Sequence, residues 1–105
     1  LAVDDLTKVQ ALLNQLNLLI ALEAESEIQA IVPEIQAKLS NLPPSRDGVY
    51  ARVNFAENLM KMQQRLMSQP EMGQLLATAV KQAKELGDRR AEAYALTEVG
   101  KLYEY

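Results

Sequence analysis

Among its 105 residues the chain has no histidine, no cysteine and no tryptophan. Without histidine and cysteine a Ser-His or Cys-His nucleophile pair cannot be assembled, and zinc, haem and iron-sulfur sites lose their usual nitrogen and sulfur ligands. The lack of cysteine also excludes disulfides, which fits a reducing compartment, and a cytoplasmic location is expected. Glycine is scarce too. Gly48, Gly73, Gly87 and Gly100 are scattered and form neither a GxGxxG nor a GxxxxGK arrangement, so no phosphate cradle and no cofactor are expected. Long apolar runs are missing: Leu18 to Leu22 is broken by polar residues on both sides, far short of the roughly 18 to 20 residues a bilayer span requires. The chain opens on Leu1 rather than methionine and shows no basic region followed by an apolar stretch, so it reads as a piece of a longer polypeptide with no targeting signal in view.

Positive charge is also limited. Eleven lysines and arginines stand against fourteen acids, a net charge of -3, which argues against a nucleic-acid partner because phosphate neutralisation needs a concentrated basic face. Carboxylate pairs are the remaining route to catalysis. Asp4 with Asp5, and Glu23, Glu25 and Glu27, fall near expected helix ends, where acids favour the helix dipole and solvent. The stretch from Asp4 to Lys8 lacks the alternating oxygens, central glycine and closing glutamate of a calcium loop. No enzymatic activity is expected.

What is present is helical spacing from end to end. Leu6, Val9, Leu12, Leu13, Leu16, Leu19 and Ile20 recur at three and four residues, predicting a helix over residues 4 to about 22. Ile28, Ile31, Val32, Ile35 and Leu39 repeat the pattern over about 26 to 40, with Pro33 expected to kink or restart it. The proline- and serine-rich stretch from Ser40 to Gly48 is the clearest break. Tyr50, Val53, Phe55, Ala56, Leu59 and Met60 resume the period to about residue 64. Ser68 and Glu71 form a capping-box pattern that starts a fourth helix, which Gly87 ends, and Asp88 follows as the N-cap of a fifth. Five helices joined by short turns predict an all-α fold with antiparallel neighbours.

The chain also resembles itself. Tyr50 to Lys61 aligns with Tyr94 to Tyr105: Tyr50 meets Tyr94, Ala51 meets Ala95, Phe55 meets Val99, Ala56 meets Gly100 and Leu59 meets Tyr103. A looser copy places Leu13, Leu16, Asn17 and Ile20 in the same positions. The run Leu96-x2-Val99-Gly100-x2-Tyr103 resembles the first-helix signature of a tetratricopeptide (TPR) repeat, W-x2-L-G-x2-Y, and Ala83 to Asp88 is similar to the end of that family's second helix. Two departures stand beside the likeness: the copies are spaced 44 residues apart rather than about 34, and Leu96 or Arg52 takes the tryptophan's place. The phrasing around Tyr50 to Met62 and Leu75 to Gly100 further resembles the repeat region ahead of CHAT protease-like domains in cyanobacterial proteins. The resemblance implies a short TPR-like α-solenoid of about two and a half repeats within one helical-repeat domain, residues 1-105, with 4-40 and 45-87 as helix pairs and 88-105 opening an incomplete third. It also implies that Gly100, like Ala56, lets two helices pack closely. A general antiparallel bundle is the alternative.

Function follows from the same resemblance: a non-catalytic protein-protein interaction scaffold, part of a regulatory or sensing region, whose first helices line a concave groove for a protein or peptide. The repeat register places Tyr94, Thr97, Lys101 and Tyr105 in that groove, then Tyr50, Val53, Glu57 and Lys61, and in the looser copy Asn14, Leu18 and Leu22. A structural spacer or self-association module is the rival reading. Leu96, Val99, Leu102 and Tyr103 are expected to stay partly uncovered on the last helix, so a two-fold homodimer through that helix is also expected.

Overall fold

The computed structural model describes residues 4-62 and 66-104. Five helices account for most of them: α1 (Asp5–Ala21), α2 (Glu25–Ser40), α3 (Arg46–Met60), α4 (Gln69–Glu85) and α5 (Arg89–Glu104). No strand occurs among the described residues, and no helix there is long and apolar enough to cross a membrane.

Capping side chains explain where most of the helices begin. Asp4 Oδ1 accepts from the Thr7 amide at 2.7 Å, Ser45 Oγ from Gly48 at 2.9 Å, Ser68 Oγ from Glu71 at 3.2 Å, and Asp88 Oδ1 from Ala91 at 3.0 Å. Each satisfies an amide that the first helical turn leaves without a carbonyl. The Ser68 hydroxyl also donates to Glu71 Oε1 at 3.0 Å, so the glutamate of the predicted capping pair meets the cap through its side chain. Only α2 starts without a side-chain cap, at Ala24. Pro33 does not restart that helix, which runs through it unbroken. Its ring sits on the exposed side, and the carbonyl it leaves unbonded belongs to exposed Gln29, where water can serve it.

The chain divides into two compact units, residues 1-42 and 43-105. In the first, α1 packs on α2, burying Val9, Leu13 and Leu16 of the one and Ile28, Ile31, Val32, Ile35 and Leu39 of the other. In the second, α3, α4 and α5 each pack against the other two. Phe55, Ala56, Leu76, Ala79, Ala83, Ala91 and Ala95 are among its fully buried side chains. Ala79 and Ala83 of α4 and Ala91 and Ala95 of α5 put small side chains into the buried faces of these packed helices. Asp88 ties this unit together: it caps α5, and its Oδ2 lies 2.6 Å from Arg46 Nε at the start of α3. Capping of Ala91, together with Arg46, holds its carboxyl below the usual range against the opposing cost of burial.

Two expectations need correction. Gly100 is exposed, and a Cβ built on it would meet nothing within 4 Å, so it makes no close helix contact. At 100° per residue it lies opposite the face formed by Ala91, Ala95, Glu98 and Leu102. Close approach occurs instead at Gly73 on α4, where a Cβ would run into the Tyr103 hydroxyl. Leu102 is the second correction: it is buried, and only Leu96, Tyr103 and part of Val99 stay uncovered.

Candidate partner-binding face

Helices α3 and α5 pack side by side and carry the two tyrosines that the repeat register equates. The rings of Tyr50 and Tyr94 meet with centroids 5.7 Å apart and planes tilted by 32°. Offset and tilted ring pairs of this kind are favourable beyond the apolar area they bury. Both rings are half-buried, leaving part of each surface to solvent.

Acids and bases surround the rings in a chain of contacts. Tyr94 Oη donates to Glu57 Oε2 at 3.3 Å, and Lys61 Nζ lies 3.7 Å from Glu57 Oε1, one helical turn away. On α5 the ammonium of Lys101 reaches Glu98 Oε1 at 3.0 Å. Glu98 is 1% exposed, and its Oε2 is buried without a hydrogen-bond partner among the described residues. Burial pushes the Glu98 carboxyl up, Lys101 opposes the rise, and Glu57, within hydrogen-bonding reach, adds to it. The Glu98 carboxyl therefore keeps its proton to higher pH than an exposed glutamate does. The Tyr94 phenol is pushed up to about 12, first by burial and then by the negative Glu57 that accepts its hydrogen bond.

Of the groove residues expected from sequence, Tyr50, Glu57, Tyr94 and Lys101 converge here, with Lys61 attached through Glu57. Thr97 is exposed on α5, its hydroxyl donating to the Ala93 carbonyl at 2.8 Å. Val53 is fully buried rather than on an open stripe, because it shares the α3 core face with Val49 and Ala56 at helical spacing. Asn14 and Leu18 are exposed on α1, in the first unit. Tyr105 lies outside the described residues. Glu98 was missed, although its spacing from Ala91, Ala95 and Leu102 sets it on their buried face.

Arg52, in the position matching the tryptophan of the repeat signature, is buried on α3 and donates from Nη1 to Gln82 Oε1 of α4 at 3.3 Å. Its guanidinium is desolvated, which lowers its pKa. Among the described residues no group of three or more histidines, cysteines or acids is placed to hold a metal ion. No family model, curated protein or solved structure matches the chain.

Proposed function

We propose that the second unit is a protein-recognition scaffold of the helical-repeat type, binding a peptide segment across α3 and α5 through Tyr50 and Tyr94. The tyrosine pair carries this reading. Two rings, half-open to solvent, with the Tyr94 hydroxyl held by Glu57, offer apolar contact with polar rims at little entropic cost, as recognition surfaces commonly do. The ammonium groups of Lys61 and Lys101 are ion-paired to Glu57 and Glu98, yet each keeps more than half of its side-chain surface exposed and can also meet acids of a bound segment. With Glu98 closed to solvent, the carboxyl pair speaks for a structural rather than a catalytic role.

Selection from a displayed random-peptide library tests this. Enriched peptides should bind the chain and lose about tenfold or more in affinity to Tyr50→Ser/Tyr94→Ser, a loss of roughly 1.4 kcal/mol or more, while helix content is kept. Should the double variant unfold, Thr97→Glu and Lys101→Glu place the same question on exposed positions. Failure to enrich any peptide, or binding indifferent to all these changes, overturns the proposal and favours the spacer reading.

A further inference from the structure

The other flank of α5 carries a second surface. Between α4 and α5 runs a groove of about 460 Å³ whose floor is Ala77, Val80, Leu96 and Val99. Leu96 is 49% exposed there. Lys81, Lys84 and Glu85 form the rim, and the Lys84 ammonium also reaches Glu92 at 3.9 Å. The floor is apolar and the α4 rim carries more positive than negative charge.

A matching projection exists elsewhere in the same chain. Leu18 and Leu22 are 59% and 65% exposed, and their spacing of four residues puts them on one side of the end of α1. Exposed Glu23, Glu25 and Glu27 follow directly. These two leucines and Leu96 are three of only five large hydrophobic side chains that stand exposed among the described residues.

We propose that the α4-α5 groove receives the end of α1 from a second copy of this chain, with Leu18 and Leu22 seated on Leu96 and Val99 and the following glutamates beside Lys81 and Lys84. Charge selects this occupant. A two-fold pairing of groove on groove would bring together two α4 edges that each carry two lysines and one glutamate, with no acidic cluster to receive the surplus lysine. The α1 end, followed by three exposed glutamates, supplies that cluster. Because projection and groove are different surfaces, the contact is head-to-tail, and each copy keeps one of each available for the next. This surface is separate from the tyrosine face and stands whether or not that face binds peptides.

Sedimentation velocity on the whole chain decides it. The wild type should gain mass as its concentration rises, while Leu96→Lys, which blocks the groove, and Leu18→Asp/Leu22→Asp, which removes the projection, should each fall to the 11.7 kDa of one chain. Mixed one to one, the two variants retain one good projection and one good groove between them, so they should form a complex of about twice that mass and no larger. Circular dichroism confirms that each variant is folded. If either fails to fold, Lys81→Glu/Lys84→Glu should abolish association and adding Glu23→Lys/Glu25→Lys should restore it. A monomeric wild type, an associating Leu18→Asp/Leu22→Asp variant, or a mixture that stays monomeric overturns the proposal; the second result would point to groove-on-groove pairing.

Discussion

The chain makes one turn twice. Leu22, Glu23 and Ala24 join α1 to α2, and Leu86, Gly87 and Asp88 join α4 to α5. In both, the leucine closes the helix, the next residue swings to positive φ, 54° at Glu23 and 69° at Gly87, and the third returns its amide at 3.0 Å to a carbonyl five residues back. That is the Schellman arrangement, which satisfies carbonyls the helix end would leave open. The residues filling it differ in kind. Glycine adopts positive φ freely, whereas a glutamate there brings its Cβ against the backbone at about 1 kcal/mol or more. Asp88 then caps the next helix, and Ala24 has no side-chain oxygen with which to do so. The same geometry is locally favoured in one place and opposed in the other. In the first unit the packing of α1 on α2 has to offset the turn, so shape at a helix junction is no measure of how well its own residues support it.

Exchanging the two fillings is the sharpest way to break this comparison. Glu23→Gly with Ala24→Asp should stabilise the chain by roughly 1-3 kcal/mol, read as a shift in urea midpoint at constant slope. Gly87→Ala should destabilise it by about 1-2 kcal/mol through φ alone, since a Cβ at that position meets no atom within 4 Å. Equal and negligible effects at Glu23 and Gly87 would mean that packing, not the turn residue, sets the cost in both.

Gly100 offers a smaller test of the same distinction between a glycine that is used and one that is not. It sits in an α-helix, exposed and uncrowded, so Gly100→Ala should raise stability by about 0.5-1 kcal/mol in thermal or urea unfolding. A loss on that change would restore a packing role.

The smallest expected effect is a slope with pH. The Glu98 carboxyl is raised above its ordinary 4.5, by burial first, so the folded chain holds its proton to higher pH than the unfolded chain does. Its contribution is then complete below pH 4.5 and declines as pH climbs through the raised folded value. Glu98→Gln, neutral at every pH, should remove that decline. Parallel stability profiles for the two proteins would show that folding does not raise the Glu98 carboxyl.

Most of the helical framework was legible because apolar residues at three- and four-residue spacing, Ser68, Gly87 and Asp88 are local signals with local consequences. Glu23 left no such trace: nothing in a glutamate announces positive φ, and only the short gap between two periodic runs marked the turn. The site was half legible. Self-alignment found Tyr50 and Tyr94, yet it equated Ala56 with Gly100, one fully buried and the other exposed. A repeat register fixes where a residue lies around its own helix and says nothing of which sides acquire neighbours. Glu98 was passed over for the opposite reason, since charge outweighed its place on the face of Ala91, Ala95 and Leu102.

Asp88 binds the three helices of its unit at one point, closing α4 through its amide, starting α5 through one carboxylate oxygen and holding α3 through the other. Opening the turn between α4 and α5 therefore removes the α5 cap and the ion pair to α3 together. The amide protons of Gly87, Asp88 and Ala91 should accordingly exchange with deuterium at a common rate, as members of one cooperative opening, rather than fray helix by helix as ordinary helix ends do.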